Sequence, residues 1–161
     1  MKKEIERKFL VQGEEWRKNA QGVLYRQGYL LTDKNKVIRL RVAGDKGYLT
    51  IKKKNEGIQR EEFEYSIPKE DAESLLPLCE PVIIEKIRYT LNADHGLVWE
   101  IDEFLGENQG LILAEIELKE ETQEFSLPCF IGKEVSFDPR YFNSSLSKMP
   151  YQKWACNCKM E

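Results

Sequence analysis

Glu4-Ile5-Glu6-Arg7-Lys8-Phe9-Leu10-Val11 is the stretch whose reading decides the fold. Taken as a β-strand, its alternate side chains point to opposite faces of a sheet. Glu4, Glu6 and Lys8 then share one face, and Ile5, Phe9 and Val11 share the other. A single strand of this kind is ordinary at a solvated surface. The same alternation recurs, however, in almost every later strand candidate.

Working outward, Tyr25 to Thr32 reads as a strand closed by the turn Asp33-Lys34-Asn35-Lys36. Val37 to Ala43 sets Ile38, Leu40 and Val42 against Arg39 and Arg41. Tyr48 to Lys54 sets Leu49 and Ile51 against Thr50, Lys52 and Lys54, and the two runs predict a hairpin. Asn55-Glu56-Gly57 turns into Gln59 to Ile67, where Phe63, Tyr65 and Ile67 oppose Arg60, Glu62 and Glu64. Val82 to Asn92 opposes Lys86 and Arg88 to Ile83, Ile87, Tyr89 and Leu91. Leu97 to Leu105 places Trp99 and Ile101 against Glu100 and Asp102, and Leu111 to Lys119 places Ile116 and Leu118 against Glu115 and Glu117. Short helices are expected over Gly13 to Ala20, from Pro68 over Lys69 to Leu76, and from Asp138-Pro139 to about Lys148. His95 falls at a turn tip, where a solvated role is expected.

The expected fold is mainly β with a few helices (α+β), one domain over residues 1–150 and a tail over 151–161. With 41% hydrophobic residues the chain can bury a core, and its net charge of −3 argues against a nucleic-acid partner. No apolar run reaches membrane-spanning length and the N-terminus lacks a signal peptide's apolar stretch, so a cytoplasmic location without a membrane partner is expected. Cys79, Cys129, Cys156 and Cys158 are read as reduced thiols, since the C-x-C pair lacks a second cysteine cluster.

About eight antiparallel strands can close into a barrel, which leaves no exposed edge. The charged faces could then be its outside. Two observations favour the inside. Several strands carry like charges at i, i+2, about 6.5–7 Å apart at the usual strand rise. Glu4 and Glu6 beside Glu115 and Glu117 make sense around a cation, and Arg39 and Arg41 with Lys86 and Arg88 around a polyanion. Further, Trp16, Tyr65, Tyr89 and Trp99 need apolar surface to pack on, which the opposite strand faces supply. A lumen so charged is wet, because each uncompensated buried ion costs several kcal/mol. Carboxylates clustered without histidine or thiolate suit a hard cation, Mg²⁺ or Mn²⁺.

These residues resemble the CYTH family of triphosphate tunnel metalloenzymes. Glu4-Ile5-Glu6-Arg7-Lys8 is similar to its E-x-E-x-K signature. Arg39-Leu40-Arg41, Lys52, Arg60 to Glu64, Lys86-Ile87-Arg88, Asp102 and Glu115-Ile116-Glu117 follow in the family's order. From the residues themselves, the helices are expected outside, on the apolar strand faces, with the C-terminal helix at Tyr141 to Lys148 plugging one tunnel mouth. The resemblance implies a closed eight-stranded antiparallel barrel that binds triphosphate in its lumen. It also implies metal-dependent hydrolysis of a terminal phosphoanhydride, with inorganic tripolyphosphate the leading substrate. The alternatives are a nucleoside or thiamine triphosphatase, an adenylate cyclase of the same barrel family, and a binding module without turnover. The His-Phe segment associated with the cyclases is absent, since His95 is the one histidine.

On this reading Lys8, Arg39, Arg41, Lys52, Lys86 and Arg88 meet the phosphate oxygens. Arg60 is a phosphate contact or, by preference, a partner for the carboxylates. Glu4, Glu6, Glu115 and Glu117 hold one or two metals, with Glu62, Glu64 and Asp102 as further ligands or water-orienting groups. Catalysis is assigned to Glu4, Glu6, Lys8, Glu62, Glu64 and Asp102. Gln27 and Tyr29 share a face from which they reach either substrate or packing, and pairing of two barrels into a homodimer through the apolar outside is a further expectation.

Overall fold

The alternation that runs through the sequence becomes strand after strand in the computed structural model, which describes residues 2–53, 58–80 and 82–154. The strands are β1 (Lys2–Val11), β2 (Gly22–Thr32), β3 (Lys36–Ala43), β4 (Lys46–Lys53), β5 (Gln59–Ile67), β6 (Ile84–Asn92), β7 (Val98–Phe104), β8 (Ile112–Glu117) and β9 (Ile131–Glu134); the helices are α1 (Lys69–Leu75) and α2 (Asn143–Leu146). The expected turn at Asn55-Glu56-Gly57, and Lys54, Cys156 and Cys158, lie outside the described residues.

Eight strands close a ring in the order β1-β5-β4-β3-β2-β6-β7-β8 and back to β1, every pairing antiparallel. β1 is the closing strand. Along one edge it pairs Glu6 with Glu117 and Lys8 with Glu115 of β8; along the other, Glu4 meets Arg60 of β5. β5 reaches no further than Ile5, and β9 takes over, pairing Glu134 with Phe9 and Ile131 with Val11. The closed eight-stranded barrel is as expected, with β9 as an addition.

The charged faces do point inward. Outside, Ile5, Phe9, Trp99, Ile101, Ala114 and Ile116 form a core with Trp16, Leu118 and Ile131. Leu40 and Val42 are covered by Ala72 of α1 and by Leu76. Full burial of each large apolar side chain contributes about 1.5–3 kcal/mol, so these faces anchor the barrel from without. Gly28 lets β2 come close to the chain after α1: a Cβ there would lie 2.7 Å from the Cys79 Cβ.

A third cluster is inside. Tyr29, Val37, Ile84, Phe104 and Leu113 have the strand phase of the charged residues, and they pack with Leu146 of α2 and with Tyr141, Tyr151 and Trp154. Together they fill one end of the lumen. The helix expected from Asp138 to Lys148 is thus in the expected place but differs in form. Asp138 accepts from the Arg140 amide to cap a 3₁₀ turn, Pro139–Tyr141, and Phe142 is then extended (φ −70°, ψ 136°) before α2 begins. The Phe142 ring lies under two lumen cations, 5.6 Å from Lys8 Nζ and 4.8 Å from the Arg60 guanidinium carbon. Likewise the segment expected as a helix near Trp16 is a 3₁₀ turn, Glu15–Asn19, without a side-chain cap. His95 sits in the β6–β7 turn with φ 58°, exposed as expected.

Candidate active site

Between its open mouth and the apolar end, the lumen holds a cavity of about 280 Å³. The basic residues expected to face it all line it, and so do Glu4, Glu6, Glu62, Glu64, Glu100, Glu115 and Glu117. Strand alternation puts them there. Ladder register decides which of them meet.

Lys8 lies 3.2 Å from Glu115 and donates to the Tyr141 carbonyl at 3.2 Å. Burial works against its charge, and Glu115 and Glu6 outweigh it, holding the ammonium above its ordinary range. Lys52 pairs with Glu4 at 3.1 Å. Arg39 donates from Nη2 to Thr50 Oγ1 at 3.2 Å and reaches Glu64 at 3.4 Å, while its buried Nε has no acceptor among the described residues. Arg41 donates from Nε to the neutral Gln27 at 3.0 Å. Burial, with Arg39 and Arg88 nearby, pushes it down to about 10. Of the two roles expected for Arg60, the preferred one, partner to the carboxylates, is not seen among the described residues: its guanidinium sits on Phe142 at the cavity lining.

Asp102 needs the larger correction. It is fully buried and lies behind the cavity lining. Arg88 clamps it through Nε and Nη2 at 2.7 and 2.8 Å, and Lys86 donates to it at 2.6 Å. Both oxygens are therefore engaged by cations, which outweigh burial and hold the carboxyl below its usual range. This is a group that positions Lys86 and Arg88; it is not placed to ligate a metal in the lumen. Lys86, sharing that carboxylate with Arg88, is brought down to about 7, chiefly by burial.

The acidic wall is uneven. Burial tends to raise Glu115, but Lys8, Arg88 and Lys86 hold it well below the usual carboxylate range. Glu6, opposite Glu117 in the ladder, is pushed up to about 8 by burial and then by Glu115. On the cavity-lining faces of β1 and β8 four glutamates, Glu4, Glu6, Glu115 and Glu117, stand against one lysine, Lys8, which fits a cation there. Among the described residues no three carboxylates converge into a ready cage. Mg²⁺ does not require one, since it commonly takes one or two carboxylates and completes its shell with water and phosphate oxygens.

Some lining residues were not anticipated. Tyr25 lies between the Arg41 and Arg88 guanidiniums, 5.0 Å from each, and Tyr48, Phe142, Asn143 and Ser144 also line the cavity. Tyr25 was readable from its strand phase, which it shares with Gln27 and Tyr29. Asn143 lies within the helix expected through about Lys148 near a tunnel mouth, but nothing in the sequence singled out this residue of it as facing the cavity.

A closed antiparallel barrel with acidic and basic walls facing one another across its lumen defines a tunnel protein for a polyanion and its counter-cation. The chain belongs to the CYTH domain family, matched over residues 2–151. It is 54% identical over 155 residues to the inorganic triphosphatase of Acetivibrio thermocellus, covering 96% of this chain and 99% of that protein. It is 38% identical over 151 residues to the inorganic triphosphatase of Nitrosomonas europaea, covering 89% and 96%. The crystal structure of the inorganic triphosphatase NE1496 superposes with a TM-score of 0.63 at 36% identity, over 91% of this chain and 95% of that one. A Pyrococcus horikoshii protein, PH1012, shares the fold at 19% identity, with a TM-score of 0.57 over 73% and 79% of the two chains.

Proposed function

We propose that the chain hydrolyses the terminal phosphoanhydride of inorganic tripolyphosphate, giving pyrophosphate and orthophosphate, with Mg²⁺ or Mn²⁺ as the cofactor. The observation that carries this reading is the double imbalance of the lumen. On the basic wall Arg41 has only a neutral acceptor and Arg39 Nε has none among the described residues. On the acidic wall Glu6 is pushed up to about 8. A polyanion and a divalent cation together relieve both. The names of the two curated relatives support tripolyphosphate over other triphosphates.

Glu4, Glu6, Glu115 and Glu117, with Glu62 beside them, would hold the cation, which when bound neutralises phosphate charge and polarises the phosphoryl oxygens. Arg39, Arg41 and Arg88 offer planar forks to paired oxygens, and Lys8, Lys52 and Lys86 act as compact point charges. Arg60, free of carboxylate partners among the described residues, joins them. Asp102 fixes the direction of Arg88 and Lys86, and Thr50 with Glu64 fixes Arg39. Glu62 and Glu64 orient the attacking water. Positioning and charge neutralisation are what phosphoryl transfer mainly asks for. The enzyme works in the cytoplasm on a diffusible anion, without nucleic acid or membrane. Among the described residues no helix is long and apolar enough to cross a bilayer. The exposed outer face at Ile51, Phe63 and Tyr65 is where two barrels would pair.

The test is metal-dependent phosphate release from tripolyphosphate by the parent and by Glu117→Gln. The variant is expected to lose about a hundredfold or more in turnover while staying folded, the usual scale for removing one preorganised electrostatic group. Equal rates in two folded proteins overturn the reading. Tripolyphosphate bound but unaltered by the parent reduces it to a binding module.

A further inference from the structure

The end of the lumen opposite the mouth is built by the C-terminal segment. Leu146 and Ser147 are buried there, and the Tyr151 amide donates to Asn108 Oδ1 at 2.8 Å. Tyr141 and Tyr151 both stack edge-on against Trp154, with centroids 5.1 and 5.0 Å apart. This strap offers the cavity Phe142, Asn143 and Ser144.

Asn143 is the junction. Its Oδ1 accepts from Lys86 Nζ at 3.1 Å and from Gln27 Nε2 at 3.3 Å. A guanidinium can only donate, so Arg41 holds the Gln27 oxygen and turns the Gln27 Nε2 toward Asn143; the Asn143 atom shared by Gln27 and Lys86 must therefore be the oxygen, and this sets the amide's orientation. Gln27 is fully buried and its own oxygen is taken by Arg41. The Asn143 Nδ2 has no acceptor among the described residues, and the side chain borders the cavity. Two N–H donors are thus left at the closed end, between Lys86 and the Arg41–Gln27 pair. What such a place accepts is an oxyanion that goes no deeper, because Ile84, Phe104, Leu113 and Leu146 lie behind it.

We propose that Asn143 is a specificity-determining residue that donates from Nδ2 to the innermost phosphate of the bound chain, so that the ligand must present one unesterified terminal phosphate to the strap. Linear polyphosphates and nucleotides with a free terminal phosphate satisfy this. A triphosphate esterified at both ends does not, because its second substituent would have to enter the apolar end. The inference rests on the proposed triphosphate-binding site but not on turnover there.

Binding is therefore measured calorimetrically without divalent metal, using tripolyphosphate and a dinucleoside triphosphate as ligands. The parent is expected to bind tripolyphosphate and to bind the doubly esterified ligand at least tenfold more weakly. Asn143→Asp keeps the oxygen that serves Lys86 and Gln27 but removes the donors. Loss of one charge-assisted hydrogen bond corresponds to roughly tenfold to hundredfold weaker binding of tripolyphosphate. In ¹⁵N-labelled parent protein, the side-chain amide signal that is missing from Asn143→Asp should shift on titration with tripolyphosphate, while that of Asn108, outside the cavity, stays. A stationary Asn143 signal, an Asn143→Asp affinity within twofold of the parent, or equal binding of the two ligands overturns the proposal. Hydrolysis with any of those results leaves the proposed function standing and removes this inference. Asn143-dependent binding without hydrolysis does the reverse.

Discussion

Glu6 and Glu115 stand on paired strands and line one cavity, yet their carboxyls shift in opposite directions. The difference is one of partners: Glu115 lies 3.2 Å from Lys8 and 3.4 Å from Arg88, whereas Glu6 answers mainly to burial and to Glu115 itself. The linkage signs follow. Glu6, raised to about 8, favours the folded state while protonated, a contribution present below the ordinary carboxylate range and lost as pH rises through about 8. Glu115, held low, contributes above the ordinary range and ceases to do so as pH falls through its folded pKa. The metal-free protein is therefore expected to lose stability between about pH 4.5 and 7, above which Lys86, brought down to about 7, works in the opposite direction. Glu6→Gln is expected to remove about 1–3 kcal/mol of that loss, since one pKa unit is about 1.4 kcal/mol and lumen water screens part of it. Thermal melts of both proteins across that range check this; parallel curves would refute it. At this scale the sequence was half legible. Alternation put Glu100, Asp102, Glu115 and Glu117 on one face, but nothing local distinguished Asp102, clamped by Arg88 from the neighbouring strand, from carboxylates open to the cavity.

β1 is the element on which the others converge, with β8 on one edge and β5 and β9 dividing the second. Its junction with β9 is held by more than the ladder. Arg7 donates to both Glu134 oxygens at 2.7 Å, Ser136 donates to Glu134 at 2.7 Å, and the Lys8 amide donates to Ser136 Oγ at 2.9 Å. This braces the backbone of a lumen lysine from outside the barrel. Arg7→Ala should cost about 1 kcal/mol, the upper end for a partly exposed ion pair because the geometry is bidentate. Hydrogen exchange should show faster opening at Lys8 and Val135, with β3 and β4 unchanged. A closer constraint lies at β2, where Gly28→Ala would press a methyl into Cys79; overpacking of this kind costs about 1–3 kcal/mol, read as a lowered melting temperature. Eight strands were legible because each is long enough to show period two. β9, only Ile131–Glu134, is too short to show it, and its existence depends on the stretch of β1 edge that β5 leaves uncovered.

For the molecule as a whole, charge of both signs in one lumen means that the empty barrel carries repulsion which ligand removes. Tripolyphosphate at about a hundred times its Kd should stabilise the fold by about 2.7 kcal/mol, or roughly 5–11 °C for a chain of this size, as measured by thermal melting without turnover. A melting temperature unmoved by saturating ligand would contradict the charged-tunnel account. The closure of the ring also has a consequence for how the chain is made. Glu6 finds its ladder partner at Glu117, and Phe9 finds one at Glu134. At about 5–20 residues per second, roughly 5–25 s of synthesis separates Glu6 from Glu117. Until β8 is made, β1 keeps at least one edge unpaired, and no order of events among β2 to β7 can satisfy it. Closure is therefore a late and non-local step, the kind that slows β-rich folding to milliseconds or longer. Pulse-labelled exchange should find the Glu6–Leu10 and Leu113–Glu117 amides becoming protected together, after the β3–β4 hairpin. β1, made before every strand it pairs with, is among the last parts of the barrel to fold.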